Sequence, residues 1–333
     1  MKQIVLELAR FFNTDFLLKI SSRNAIVPLY HTVSDQNLLH IKHLYPVKST
    51  KAFIKDLDFL LKYFAPISYF DYTKALQEGK NFNKPSFLLT FDDGLKEFFT
   101  VIAPILKQKG IPALCFLNSG FIDNKELFYR YKVSLLINYI KENKLNKMVL
   151  NTFSLVFKSE DKFFDTLLKA KYSDNCFLDE IAYSIDFSFN HFLRTQQPYL
   201  TTEQIKTLIQ QGFCFGAHSI NHPLYAHLTL KEQLNQTQYS LYTICKQFNL
   251  NYKAFAFPFT DTGIKRDFFT EIYKNNIAEI TFGTGGLKTD EYEKNIQRIP
   301  MEQDLKSAKS IINTEIIKAI LRTATGKNKV LHL

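Results

Sequence analysis

The stretch Phe87-Leu88-Leu89-Thr90-Phe91-Asp92-Asp93-Gly94 decides how this 333-residue chain is read. A short run, apolar except for Thr90, stops at two adjacent carboxylates and a glycine, and a helical pattern follows. Runs of this kind mark strands buried on both faces, as in a parallel sheet. Two carboxylates side by side at a strand end repel each other, so they need a proton, a cation or different jobs.

Working outward, similar runs occur at 25–30, 113–117, 213–217, 254–257 and 279–282. Helical patterns lie between them: 51–63, 96–109 stopped by Gly110, a segment opened by the capping-box sequence Thr201-Thr202-Glu203-Gln204 and stopped by Gly212, then 230–248, 264–276 and 304–322. Alternating strands and helices imply parallel strands joined by right-handed crossovers, hence an α/β barrel or open sheet. Residues 124–200, rich in Phe, Tyr and Lys and poor in strand signals, predict a mostly helical insertion. The expected organisation is an N-terminal helical segment over 1–23, a barrel over 24–303 carrying that insertion, and a C-terminal helix and tail over 304–333.

Composition narrows the class. At 46% hydrophobic and 22% charged the chain is globular, and 32 Phe with 17 Tyr supply a large core. Cys115, Cys176, Cys214 and Cys245 form no CxxC pair and read as reduced core residues, which suits a reducing compartment. Residues 3–20 are interrupted by Glu7, Arg10, Asn13 and Asp15, so they are neither a signal peptide core nor a membrane span. Val5, Leu8, Ala9, Phe12 and Phe16 fit an amphipathic helix packed on the domain, with a membrane-surface helix as the alternative. These features predict a cytoplasmic protein, peripheral to a membrane at most. The net charge is +10, but the lysines are scattered and no Arg-rich helix occurs, so nucleic acid is not an expected partner.

A second signal, His218-Ser219-Ile220-Asn221-His222-Pro223, directly follows the run at 213–217. Loops at the C-terminal ends of strands are where α/β folds bind ligands. Two His four apart reach one side of a single turn, the spacing at which two imidazoles share a metal. Together with Asp92-Asp93 they form a candidate Asp-His-His site that leaves coordination positions for water and substrate.

These two motifs resemble the first two of the polysaccharide deacetylases, the NodB-homology carbohydrate esterases. The surroundings are similar as well. Pro28-Leu29-Tyr30-His31 resembles the opening strand of one branch, Ala103-Pro104-Ile105-Leu106 and Gly110-Ile111-Pro112-Ala113 the helix and strand after the acidic motif, and Phe255-Ala256-Phe257-Pro258-Phe259 the third motif. The resemblance covers roughly 24–123 and 200–300. It implies a distorted (β/α) barrel and metal-dependent removal of N- or O-acetyl groups from a sugar, polysaccharide or lipid-linked glycan.

Carried over by residue, the resemblance assigns Asp93, His218 and His222 to one divalent metal, zinc by default with cobalt, nickel or manganese also fitting, and Asp92 to the general base. The loop at Phe259 and Thr260 would offer a backbone N–H to the oxyanion. Two departures stand out. The family's third motif often carries an Arg two residues before its Pro, where this chain has Ala256; Arg298 is the candidate replacement. Many members take the general acid from a late Leu-x-His; here that is Leu331-His332-Leu333 at the fraying end, so His31 is preferred, as the branch with the opening Tyr-His strand implies. Tyr129 and Arg130, at the start of the insertion, are candidate sugar-binding residues beside a plain helix-packing reading. His40, His43, His191 and His227 have no such context. The competing reading is a catalytically inactive barrel that binds glycan. Further rivals are a basic surface for nucleic acid or lipid and a metal hydrolase of another amide.

Overall fold

A computed structural model of the chain describes residues 12–21, 25–153, 159–303 and 305–333. Eight parallel strands form one sheet: β1 Pro28–Tyr30, β2 Leu89–Phe91, β3 Ala113–Leu117, β4 Cys214–Ala217, β5 Ala254–Ala256, β6 Ile280–Gly283, β7 Asn295–Gln297 and β8 Ile299–Pro300. Their spatial order is β7-β6-β5-β4-β3-β2-β1-β8. The two edge strands are consecutive in the chain and separated only by Arg298. The sheet is therefore a nearly closed barrel whose last gap is spanned by a single residue of backbone.

Strands β1 to β6 are buried along their whole length, as a sheet covered on both faces requires. Helices occupy the crossovers: Thr50–Tyr63 and Tyr69–Gln77 between β1 and β2, Ala103–Lys109 between β2 and β3, Leu230–Phe248 between β4 and β5, and Arg266–Lys274 between β5 and β6. Their boundaries follow local chemistry. Thr201 Oγ1 accepts from the Gln204 N–H while Gln204 Oε1 accepts from the Thr201 N–H, closing the capping box that opens the helix Thr202–Gln210. Gly110 ends its helix in the left-handed region at φ +65°. No helix bridges β6 to β7, which is where the barrel departs from regular (β/α) repetition.

The long β3–β4 connection carries the insertion. Helices Tyr129–Glu142, Asn146–Thr152, Glu160–Leu168, Asn175–Ser184 and Phe189–Gln196 share a hydrophobic core of their own, which also takes in Leu95, Phe121 and Tyr199 from the barrel mouth. The segment returning from it is stitched to the acidic turn: the Leu200 N–H donates to Gly94 O at 2.9 Å and the Lys96 N–H to Pro198 O at 2.9 Å.

Near the N-terminus, the helix Thr14–Ser21 buries Leu17 in the barrel core and leaves Phe16 and Ile20 exposed. Val5, Leu8 and Ala9 of the expected amphipathic helix lie outside the described residues. Among the described residues no helix is long and apolar enough to cross a membrane. The C-terminal end does not fray. Lys329–Val330 pairs in parallel with Thr289–Asp290, and His332 is buried with Nε2 3.1 Å from an Asp290 carboxylate oxygen. Strand pairing and that contact outweigh the usual looseness of a chain end.

Candidate active site

Because all eight strands run the same way, their C-terminal ends emerge on one face, and the register fixes which residues meet there. Tyr30 pairs with Phe91, so His31 and Asp92 leave neighbouring strands side by side. Leu117 pairs with Ala217, and the His218 N–H donates to Leu117 O at 2.8 Å, so the histidine loop begins one strand further along. Gln297 pairs with Gly283, which brings Arg298 up beneath the same mouth from the closing edge.

The two carboxylates are separated by what faces them. Asp92 meets a guanidinium end-on: Arg298 Nη1 and Nη2 donate to its two oxygens at 2.7 and 2.8 Å. Arg298 is fully buried, gives its Nε–H to Gly283 O at 3.1 Å, and lies 5.2 Å over the Phe116 ring. Paired, forked donors of this kind are the strongest grip a protein has on a carboxylate. Burial pushes the Asp92 carboxyl up, but the charge of Arg298 and then of His218 outweighs it, and its pKa lies below the usual carboxylate range.

Asp93 faces the other way. Its Oδ1 lies 3.3 Å from His222 Nε2 and 3.7 Å from His218 Nε2, and the three ligand atoms fall within 4.8 Å of one another. Its Oδ2 accepts from the Tyr131 hydroxyl at 3.1 Å. The His218 Nδ1–H donates to Ala256 O at 2.8 Å, which leaves Nε2 bare, 3.7 Å from an oxygen of each of Asp92 and Asp93. Among the described residues, Asp93 Oδ1 and His218 Nε2 are buried without a hydrogen-bond partner. A buried carboxylate oxygen and imidazole lone pair left unpaired together cost free energy that a cation would recover. The donor set fits a divalent metal. Burial also lowers the His218 pKa to about 4, so the imidazole is neutral, as a ligand must be.

The backbone is strained where the donors converge. Asp93, Ser219, His222 and Phe259 have φ of 70°, 70°, 60° and 59°, a region that side chains other than Gly, Asn and Asp rarely occupy. In the histidine loop the His222 N–H donates to Ser219 Oγ at 3.0 Å, bending it so that both rings face one point. Gly94 follows at φ +63°, where a side chain would be strained, and a Cβ there would also stand 2.6 Å from Leu117 Cδ2 and force that side chain to shift.

His31 reaches the mouth but is not alone. Its Nδ1 is 2.5 Å from Glu302 Oε2, and Glu302 Oε1 also accepts from the N–H groups of His31 and Thr32 at 2.9 and 3.1 Å. Desolvation pulls the half-buried imidazole down, but Glu302, with smaller help from Asp93 and Asp92, raises it from 6.5 to about 9. Glu302 was not expected from the sequence. The signal available was an acidic residue just past a strand end, since it follows β8 by two positions. Tyr131 was also missed, hidden beside the singled-out Tyr129 and Arg130.

The remaining sequence candidates fall around this centre. The Phe259 ring packs on His222 at 4.6 Å, and Phe128 packs on the same imidazole at 4.4 Å. The Thr260 N–H donates to Pro258 O at 2.7 Å in a tight turn around Phe259, so it is engaged, whereas the Phe259 N–H has no partner among the described residues. Tyr129 and Arg130 are engaged away from the triad: the Tyr129 ring meets Phe128 and Tyr172, and Arg130 Nη1 donates to Leu168 O at 2.5 Å. His332 lies elsewhere, in a buried network with Asp290.

A family model described as polysaccharide deacetylase matches residues 79–281. Solved structures similar to this one include the deacetylase PplD of Streptococcus pyogenes in complex with acetate, with TM-score 0.56 and 17% identity, covering 87% of this chain and 97% of that one. IcaB from Ammonifex degensii gives 0.55 and 15%, covering 88% and 97%. A de-N-acetylase from Aggregatibacter actinomycetemcomitans gives 0.54 and 16%, covering 84% and 96%. At these identities the likeness is one of fold. No curated protein matches the sequence.

Proposed function

Because the chain belongs to the polysaccharide deacetylase family, we propose that it is a metal-dependent hydrolase that removes N-acetyl groups from a sugar unit of a glycan. The observation that carries this reading is the division of labour at Asp92-Asp93. One carboxylate is locked by Arg298, and the other turns an unpaired oxygen toward two imidazoles.

Asp93, His218 and His222 would hold one divalent ion, with zinc the default for an Asp-His-His set. When bound, such an ion lowers the pKa of its water toward neutrality and polarises the acetyl carbonyl. Asp92, ionised and held in one orientation by Arg298, takes the proton of the attacking water. The Phe259 N–H is the free backbone donor for the developing oxyanion. His31, protonated below about pH 9 through Glu302, gives its proton to the leaving amine. The missing Arg at Ala256, which favoured an inactive glycan-binding barrel, loses its force because Arg298 fills that need from another strand.

The test is acetate release from N-acetylated oligosaccharides, with metal analysis and with complete chelation. We expect about one metal per chain, loss of acetate release on chelation and its return on adding Zn²⁺ or Co²⁺. Undiminished release from metal-free protein would sink the mechanism.

The pairing of His31 and Glu302 gives a separate expectation. A pKa raised in the folded enzyme means the proton is held at neutral pH and lost as pH rises through about 9. In Glu302→Gln the main raising charge is gone, desolvation remains and only the smaller help of Asp93 and Asp92 opposes it, so the alkaline limb of kcat should move down from about 9 toward the ordinary histidine range. An alkaline limb that stays in place in this variant would remove His31 from the acid role.

A further inference from the structure

A groove of about 840 Å³ adjoins the histidine loop: it is lined by Pro223, the residue after His222, and by Phe259, whose ring packs on His222 at 4.6 Å. Tyr129 gives it an aromatic wall, and Arg130, Lys169 and Lys171 bring three cations. The one carboxylate on the lining, Glu232, is turned to its own helix N-terminus, where it accepts from the Thr229 N–H and hydroxyl at 2.8 and 2.7 Å. A neighbouring cavity of about 690 Å³ differs in kind. There Lys125 and Lys132 are balanced by Glu126, Asp179 and Asp186, and Lys132 is paired to Asp179 at 2.6 Å.

The cationic loop is held in place at both ends. Arg130 ties Leu168 O on one side, and the Tyr172 hydroxyl accepts from Asn221 Nδ2 at 2.6 Å on the other. Asn221 belongs to the histidine loop and its Oδ1 accepts from Gln236 Nε2 at 2.8 Å. The two exposed lysines therefore stand on a segment fastened to the catalytic loop. Aromatic faces with a surplus of fixed positive charge suit a sugar chain that carries anionic oxygens.

We propose that this groove is the subsite for the glycan flanking the acetylated unit, and that Arg130, Lys169 and Lys171 select a chain bearing phosphodiester or carboxylate groups. This rests on the deacetylase reading above and names its substrate class.

The experiment compares the metal-loaded full chain on three N-acetylated oligosaccharides of equal length: a neutral chito-oligomer, a phosphodiester-linked N-acetylhexosamine oligomer and a hyaluronan oligomer carrying uronate. Binding of each to Asp92→Asn is measured alongside acetate release from the unaltered enzyme. We expect one or both anionic oligomers to bind about tenfold more tightly than the neutral one, a preference that shrinks as salt shortens the Debye length. The arm that wins identifies phosphate or carboxylate. The double variant K169E/K171E should raise KM for the preferred anionic oligomer at least about tenfold more than for the neutral one, with little change in kcat, since charge complementarity acts on binding. Equal binding of all three oligomers, or a preference that survives the charge reversal, overturns the proposal. Anion-selective binding without acetate release from any oligomer would instead overturn the deacetylase mechanism and leave the subsite standing.

Discussion

Asp92→Asn is expected to lower kcat for acetate release by about 10²- to 10⁴-fold, the range for losing a positioned general base. Asparagine keeps the size of the side chain and one of the two acceptors for Arg298, but it cannot take a proton from water. The metal content should not change, because the convergent donor atoms are those of Asp93, His218 and His222 and not of Asp92. The fold should survive with reduced stability. Arg298 is buried and loses its counter-charge, and breaking a buried pair from one side costs about 3–5 kcal/mol. Far-UV circular dichroism and metal analysis therefore accompany the kinetics. A fall in kcat of less than about tenfold, with metal bound, would take the base role away from Asp92.

Arg298→Met should be strongly destabilising, by about 3–5 kcal/mol in a urea melt, because it removes the counter-charge of Asp92 in the barrel interior. It should also change the pH profile in a direction that follows from the ion pair. In the folded enzyme the Asp92 pKa is depressed, with burial opposing and Arg298 leading the groups that lower it. The pair's contribution is therefore full above the unfolded carboxylate pKa of about 3.9 and is lost as pH falls through the folded value. With methionine in place, burial dominates, Asp92 holds its proton to higher pH, and the acid limb of kcat/KM moves up. Activity at mildly acidic pH is lost first. Arg298→Lys should recover part of the stability and less of the rate, since a point charge cannot hold both carboxylate oxygens. Unchanged stability together with an unmoved acid limb would show that Arg298 does not govern Asp92.

The parts of this molecule that apolar patterning builds were open to reading. Six barrel strands announced themselves as buried runs, and the capping box at Thr201 and the stop at Gly110 fixed helix ends through local hydrogen bonding. The two edge strands did not. β7 is Asn295-Ile296-Gln297, and its polar side chains are buried because they bind Asp261: Asn295 Nδ2 at 2.8 Å and Gln297 Nε2 at 2.5 Å. A strand that buries amides against a carboxylate looks, in sequence, like a loop. The helix Tyr69–Gln77 was passed over although Ser68 and Asp71 close a capping box at its start.

The site divides along the same line. Asp92-Asp93 and the two histidines are contiguous motifs, so their chemistry is written locally. Arg298 could be named only because a charge was missing at Ala256, and Glu302 could not be named at all. Both act across the barrel, and their partners are set by the closing register rather than by neighbours in the chain. His332 illustrates the opposite error. Its position at the chain end suggested fraying, but pairing of Lys329–Val330 with Thr289–Asp290 carries it into the interior.

The sheet's two edges are joined by one residue, and that residue is Arg298. Its bond to Asp92 spans 206 positions of chain. Contacts of such separation are the slowest to form, because the loop they close must lose its entropy before they return anything. Secondary structure and much of the core can thus exist before Asp92 acquires its orientation. During refolding, activity is therefore expected to return with closure of the barrel, later than far-UV circular dichroism recovers the strands and helices.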